Sequence, residues 1–188
     1  WNPNATAEEV ALEGKLPTDV DPRQITPFCA CWTLASVGLM SRAGAALATY
    51  FELSGWKGLF EKEAGSDLPL KFPSTSLQRF PVYDVFVLLK GFEGGTVSFR
   101  ETNNPLAACA YRIARGHKTI DILINLAETE NQFEFSDNPF IGKDSIQFDW
   151  NDGGASGHEK KVHIEKDTIF LPGYAVLSCI TTQKEVKL

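Results

Sequence analysis

The sequence lacks any apolar run approaching the roughly 20 residues that a membrane-crossing helix requires. Its greasiest stretch is broken by Ser36, Gly38, Arg42 and Gly44, so no membrane partner is expected. Basic charge is also short: 18 Lys and Arg stand against 24 Asp and Glu, a net charge of -6. A nucleic-acid interface needs clustered cations, and none is expected as a partner. Histidine is scarce, at three residues, and the four cysteines form no C-x-x-C pair. His158 stands in a Gly- and Asp-rich loop with Asp152, but the spacing fits no ligand set, so no metal is expected. There is no phosphate-cradling glycine loop, no nucleophile elbow, no repeat and no low-complexity segment. No cofactor is called for. An initiating methionine is missing too: the chain starts at Trp1. Trp1 therefore reads as a processing boundary, with further sequence expected upstream.

What is present is the composition of a globular protein, 43% apolar and 22% charged. Cys29, Cys31, Cys109 and Cys179 read as buried free thiols, a usage that suits a reducing compartment and predicts a cytoplasmic location. Asn4-Ala5-Thr6 is a formal glycosylation sequon that nothing else supports. Residues 1–23, rich in Pro and Asp, read as loop. Thr26 is a candidate N-cap and Pro27 fits the first helical position. Phe28, Cys31, Trp32, Ala35, Leu39 and Ala43 then recur at helical spacing and predict one buried stripe, with Gly44 as the stop. The continuous apolar run from Ala46 to Glu52 predicts a strand buried on both faces, as in a parallel sheet. Such a strand needs neighbours on its edges, and this sequence does not supply them. Residues 61–80 read as loop, and a short helix follows from Pro81 to about Lys90, stopped by Gly91. The pattern then changes to period two. Strands are predicted at 96–101, 107–114, 119–126, 132–135, 146–150, 161–165, 168–171 and 174–181, separated by turn signals. That texture indicates an antiparallel sandwich, and the boundary between the two regions falls near residues 72–92.

Among side chains that carry chemistry, Glu52 stands out. In parallel α/β barrels the working residues sit at the C-terminal ends of strands, and Glu52 closes the predicted strand, near Tyr50 and Trp56. A carboxylate there serves as general base or acid, or holds a hydroxyl; the competing reading is a helix cap or a surface ion pair. Trp56 offers an indole face to a sugar-like ligand. Arg23, in Asp21-Pro22-Arg23-Gln24, reads either as an anchor for an acidic ligand or Glu52, or as a surface charge in a turn. Acid–base chemistry usually needs a second group, and residues 1–80 offer no obvious one.

Several segments together resemble the C-terminal part of the bacterial D-apionate lactonases. They are Asn2-Pro3-Asn4-Ala5-Thr6, Asp21-Pro22-Arg23-Gln24, Trp32-Thr33-Leu34-Ala35-Ser36, Ala43-Gly44-Ala45, Tyr50-Phe51-Glu52 and Gly55-Trp56-Lys57-Gly58. Phe80-Pro81-Val82-Tyr83, Gly94-Gly95 and Leu171-Pro172-Gly173-Tyr174 extend the likeness over most of the chain. The resemblance implies an α+β piece, the last helix–strand unit of a (β/α)₈ barrel followed by an antiparallel β-sandwich. On that reading residues 1–80 are the barrel remnant and residues 81–188 the accessory sandwich. The implied activity is hydrolysis of a sugar-acid lactone, with a small sugar-acid or carbohydrate ligand. Glu52 is carried over as the candidate catalytic residue, with Trp56, Lys57, Tyr50 and Arg23 as candidate substrate-binding residues. Leu53 and Ser54 stand where the family has two threonines, and Lys57 where it has arginine, which removes a bidentate contact. The separate chain is expected to be inactive. Two further readings are kept. One is a non-catalytic sandwich that buttresses a barrel or binds carbohydrate through Phe99, Phe133, Phe135, Phe148, Trp150 or Tyr174, although their alternation suits a core. The other is a homo-oligomer formed through the exposed barrel remnant.

Overall fold

A computed structural model of the protein describes residues 13–104, 106–150 and 158–183. Trp1, the Asn4 sequon and Asp152 lie outside the described residues, as does the His158 side chain.

A 3₁₀ turn, Pro22–Ile25, leads into helix α1, Pro27–Arg42. Asp21 caps the turn by accepting the Arg23 backbone N–H at 2.9 Å. Thr26 occupies the N-cap of α1 and Pro27 the first turn, as expected. The Thr26 hydroxyl, however, donates to the Arg23 carbonyl at 2.7 Å instead of capping. Beyond α1, Gly44 takes a left-handed φ of 85°, a conformation glycine adopts without a Cβ penalty. Helix α2, Pro81–Leu89, packs against α1.

The buried residues of α1 are Ala30, Cys31, Thr33, Leu34, Ala35 and Gly38. This corrects the predicted stripe: Trp32 and Leu39 are 53% and 52% exposed. The physical reason is closeness of approach. A Cβ on Gly38 would stand 2.8 Å from Cε1 of Tyr111, so the face that meets the sheet must be built from small residues. The larger Trp32 and Leu39 fall beside it. The Tyr111 hydroxyl completes the contact by donating to the Leu34 carbonyl at 2.8 Å.

Two short strands, β1 (Glu52–Ser54) and β2 (Gly58–Phe60), pair in parallel. The buried strand predicted over Ala46 to Glu52 is not found: residues 47–51 belong to no strand and Leu47 is 86% exposed. A doubly buried strand needs ladder partners on its edges, and the described residues place none beside this run. Only Glu52 enters a ladder.

Eight strands follow: β3 Thr96–Arg100, β4 Ala108–Arg115, β5 Lys118–Asn125, β6 Asn131–Glu134, β7 Asp144–Asp149, β8 His158–His163, β9 Thr168–Leu171 and β10 Val176–Thr182. All eight match predicted strands. They form a six-stranded antiparallel sheet, β3-β4-β5-β10-β7-β8, and a two-stranded antiparallel ribbon, β6-β9. The chain is thus a mixed α+β structure with mostly antiparallel sheets.

Side-chain alternation divides the sheet's two faces. Cys109, Tyr111, Ile113, Ile120, Ile122, Ile124 and Val176 join Ala30, Cys31, Leu34, Ala35 and Val85 in one core. Ala108, Ala110, Leu123, Leu177 and Cys179 meet Phe133, Ile169 and Leu171 of the ribbon in a second. The central strands are therefore covered on both sides. The two helices are tied in further by Trp150, whose Nε1–H donates to Oδ2 of Asp84 on α2 at 3.0 Å. Phe133, Phe135, Phe148 and Trp150 are buried, and Phe99 and Tyr174 partly so, so the core reading of these aromatics holds.

Two polar groups inside this region are fully partnered. Asp121 is buried and accepts from Arg112 Nε (2.9 Å) and Nη2 (2.7 Å) and from Arg100 Nε (3.2 Å). The Asn125 side-chain amide donates to the carbonyls of Thr129, Leu171 and Pro172, each at 2.9 Å, while its oxygen accepts from Ala127 N–H. All four cysteines are free. Burial pushes the Cys29 thiol up to about 12 and Cys109 to about 11, which keeps them protonated and unreactive.

Candidate functional site

Three of the five predicted functional residues, Glu52, Trp56 and Lys57, lie where β1 turns into β2. Three residues, Gly55 to Lys57, reverse the chain twice so that β2 runs parallel to β1. Gly55 supplies a φ of 87°. Its N–H donates to Phe60 O and its carbonyl accepts Gly58 N–H, both at 2.8 Å. Gly58 is required by space, because a Cβ there would lie 2.6 Å from the Ser54 Cα. From below, the buried Gln24 side chain donates to the Gly58 carbonyl at 2.8 Å.

This turn forms one wall of a cleft of ≈ 400 Å³, lined among others by Asp19, Glu52, Trp56, Lys57, Lys62 and Asp67. Lys57 Nζ lies 2.9 Å from Asp19 Oδ2 and 3.3 Å from Glu52 Oε1. The hydrogen bond to Asp19, then that to Glu52, holds the Lys57 ammonium above its ordinary 10.5. Glu52 keeps 62% of its side chain exposed, and its second oxygen has no protein partner among the described residues. Trp56 is steadied by a hydrogen bond from Nε1 to Ser66 Oγ at 3.1 Å, and its ring meets Phe72 with centroids 6.0 Å apart. Lys62 Nζ stands 5.8 Å from the Trp56 ring centroid and pairs with Asp67 at 2.7 Å. The cleft therefore combines an open carboxylate, an indole and two ammonium groups. It can accept a proton, hold hydroxyls and stack on an apolar sugar face.

Tyr50 and Arg23 stand apart from this cleft. The Tyr50 hydroxyl accepts from Ser36 Oγ at 2.9 Å and donates to Met40 Sδ at 3.3 Å. Tyr50 instead lines a larger, mainly apolar groove of ≈ 740 Å³ with Met40, Leu47, Phe86 and Val87. Arg23 pairs with Asp21 at 2.8 Å and covers the Phe28 ring at 4.9 Å. Partial burial pushes the Asp21 carboxyl up, but the Arg23 hydrogen bonds and charge outweigh it and hold it below the ordinary 3.8. The larger groove offers little chemistry, so the smaller cleft is the candidate site. Asp19, Lys62 and Asp67 were not anticipated from sequence. They are lone charges in loops, and only tertiary folding brings them to Trp56 and Lys57.

Comparison with curated protein sequences gives no match. Among solved structures, the fold is similar to a glycoside hydrolase family 30 subfamily 8 xylanase, Xyn30A, from Clostridium acetobutylicum. The TM-score is 0.53 at 12% identity, over 85% of this chain and 40% of that one. A conserved exported protein from Bacteroides fragilis aligns with a TM-score of 0.52 at 12% identity, over 92% of this chain and 37% of that one. The chain thus spans about two-fifths of the length of these structures. At such identities the likeness is one of fold. The family model for the D-apionate lactonase TIM-barrel domain matches residues 1–94, which contain the whole cleft, and the chain belongs to that family.

Proposed function

We propose that this chain is the C-terminal part of a carbohydrate-active hydrolase that opens a sugar-acid lactone. Residues 1–80 would form the last helix–strand unit of a (β/α)₈ barrel and residues 81–188 an accessory β-sandwich. The supporting observation is that Glu52, Lys57 and Trp56 share one cleft within the segment matched by the lactonase family. Attack of water on a lactone carbonyl needs a base and stabilisation of the developing oxyanion. The exposed Glu52 carboxylate suits the base. Trp56 suits stacking on the ring, and Lys57, held by Asp19, suits a fixed positive charge at the carbonyl side. The remaining groups would come from other strand ends of the barrel, so the 188-residue chain alone is inactive. A cytoplasmic location, and a homo-oligomer through the exposed barrel remnant, complete the proposal.

The test is D-apionolactone hydrolysis, followed by acid release, with the full-length protein. Glu52→Gln should lower kcat by about 10²–10⁴-fold, the usual worth of a general base, with circular dichroism unchanged. Wild-type turnover by that variant would remove Glu52 from the mechanism. Turnover by the 188-residue chain would overturn the fragment reading.

A second reading, a sandwich that buttresses the barrel, is favoured by one contact: Gly38 of α1 seated on Tyr111 of the sheet. It is compatible with the first. The burial of the sheet aromatics favours support over carbohydrate binding by this region, and saturable glycan binding by the chain would argue the other way.

A further inference from the structure

Glu61 follows β2 directly and is fully buried. Its two carboxyl oxygens both accept hydrogen bonds. Oε1 takes the backbone N–H of Lys62 at 2.8 Å, and Oε2 takes the hydroxyl of Ser74, itself only 6% exposed. No cation lies within ion-pair reach of it among the described residues. A buried carboxyl without a counter-charge is costly, and an apolar side chain would fill the same space more cheaply. Its presence there calls for a reason.

The reason lies in the loop that Glu61 spans. Residues 59–62 and 77–80 return antiparallel. Glu61 N–H donates to Gln78 O at 2.9 Å, Phe80 N–H to Leu59 O at 3.0 Å and Leu77 N–H to Lys62 O at 3.2 Å. Those bonds close the base of the loop only. The body of the loop, residues 63–76, carries Ser66 and Asp67, which face Trp56 and Lys62. The Glu61 side chain reaches across that body to Ser74, beyond the closed base.

We propose that Glu61 is a positioning residue for the cleft: through Ser74 and the Lys62 N–H it ties the loop body to β2, and so fixes where Lys62, Ser66 and Asp67 stand against Trp56. This rests on the reading that the Glu52–Trp56–Lys57 cleft is the ligand site, but its test uses no ligand and no turnover. A failed lactonase assay and a failed positioning role are therefore distinguishable.

The probe is the Trp56 indole N–H, the group that donates to Ser66, read in ¹H–¹⁵N spectra of the 188-residue chain and assigned with Trp56→Phe. Glu61→Ala should shift that resonance and lower hydrogen-exchange protection at Leu77 and Gly65 by roughly tenfold, about the worth of one hydrogen bond. Glu61→Gln should restore both. Its amide oxygen can take the Lys62 N–H while its NH₂ donates to a Ser74 hydroxyl turned to accept. An unmoved indole in Glu61→Ala, with only a lower melting temperature, would mean that Glu61 supports the fold and nothing more. If Glu61→Ala fails to fold, Ser74→Ala decides. The brace predicts the same indole shift, and an unmoved indole there overturns it.

Discussion

Replacing Gly38 by alanine tests whether α1 is docked on the sheet, because the two alternatives differ in sign. In a free-standing helix, alanine is better than glycine by about 0.8–1.0 kcal/mol. In this structure the added Cβ would lie 2.8, 3.0 and 3.1 Å from three atoms of the Tyr111 ring. The ring cannot easily swing away, because it is fully buried and its hydroxyl is bonded to the Leu34 carbonyl. Overpacking of this kind costs typically ~1–3 kcal/mol, and the fixed ring places this case in the upper half. Subtracting the helix preference leaves a net loss of about 1–2 kcal/mol. For a chain of this size that is a fall in melting temperature of roughly 2–8 °C. Thermal unfolding followed by circular dichroism measures it directly. Gly38→Ala in a Tyr111→Val background should lose the penalty, since the void accepts the methyl group, giving a double-mutant coupling. A melting temperature that rises in the single variant would refute the docking and with it the shared core of α1 and the sheet.

Other consequences follow from the polar groups. Asn125→Ala should destabilise by about 3–5 kcal/mol, because it abandons three carbonyls and the Ala127 N–H at once, and urea midpoints will show it. Asp121→Ala should cost about 2–4 kcal/mol by removing the buried carboxylate that Arg100 and Arg112 share, which leaves Arg112 without its partner and Arg100 only its longer pair with Asp137. Replacing Arg100, Arg112 and Asp121 together with apolar residues should recover most of that loss in the same assay. The Lys57 ammonium is held above its ordinary 10.5 in the fold. Its pairing therefore supports the native state fully below that value and is lost as pH rises through the raised one. The stability gap between wild type and Asp19→Asn should thus be constant from neutral pH upwards and shrink above 10.5. A gap that instead widens in alkali would contradict the ion-pair geometry.

The period-two segments were fully legible, because a sheet with distinct faces writes alternation into its strands. The helix boundaries were legible from Pro27, Gly44, Pro81 and Gly91. The buried face of α1 was not. Periodicity favours the largest apolar residues, whereas the sheet selects Gly38 and Ala35 for their smallness. The run from Ala46 to Glu52 carries the composition of a central strand, yet composition cannot provide the neighbours such a strand requires. At the site, Glu52 and Trp56 were singled out from their place at and after the predicted strand end and Lys57 from the family resemblance, and the structure puts the three along one cleft. Asp19 and Lys62 come from separate loops, and Glu61 looked like any charged loop residue until its burial was seen. Tyr50 is two residues from Glu52 but lines a different groove: residues 47–51 belong to no strand, so the strand rule that puts residues i and i+2 on one face does not apply to this pair.

The turn between β1 and β2 keeps its shape through backbone hydrogen bonds and the glycines at 55 and 58, while Glu52, Leu53 and Ser54 remain exposed. If the cleft is the ligand site proposed above, stability and recognition rest on different atoms. On the proposed reading, the exposed side chains at the cleft can be exchanged by mutation at small cost to folding, whereas the residues beneath them are fixed in volume. On that reading, drift in ligand preference across relatives should collect at cleft-lining positions such as 54 and 57 and leave positions 38, 58 and 111 unchanged.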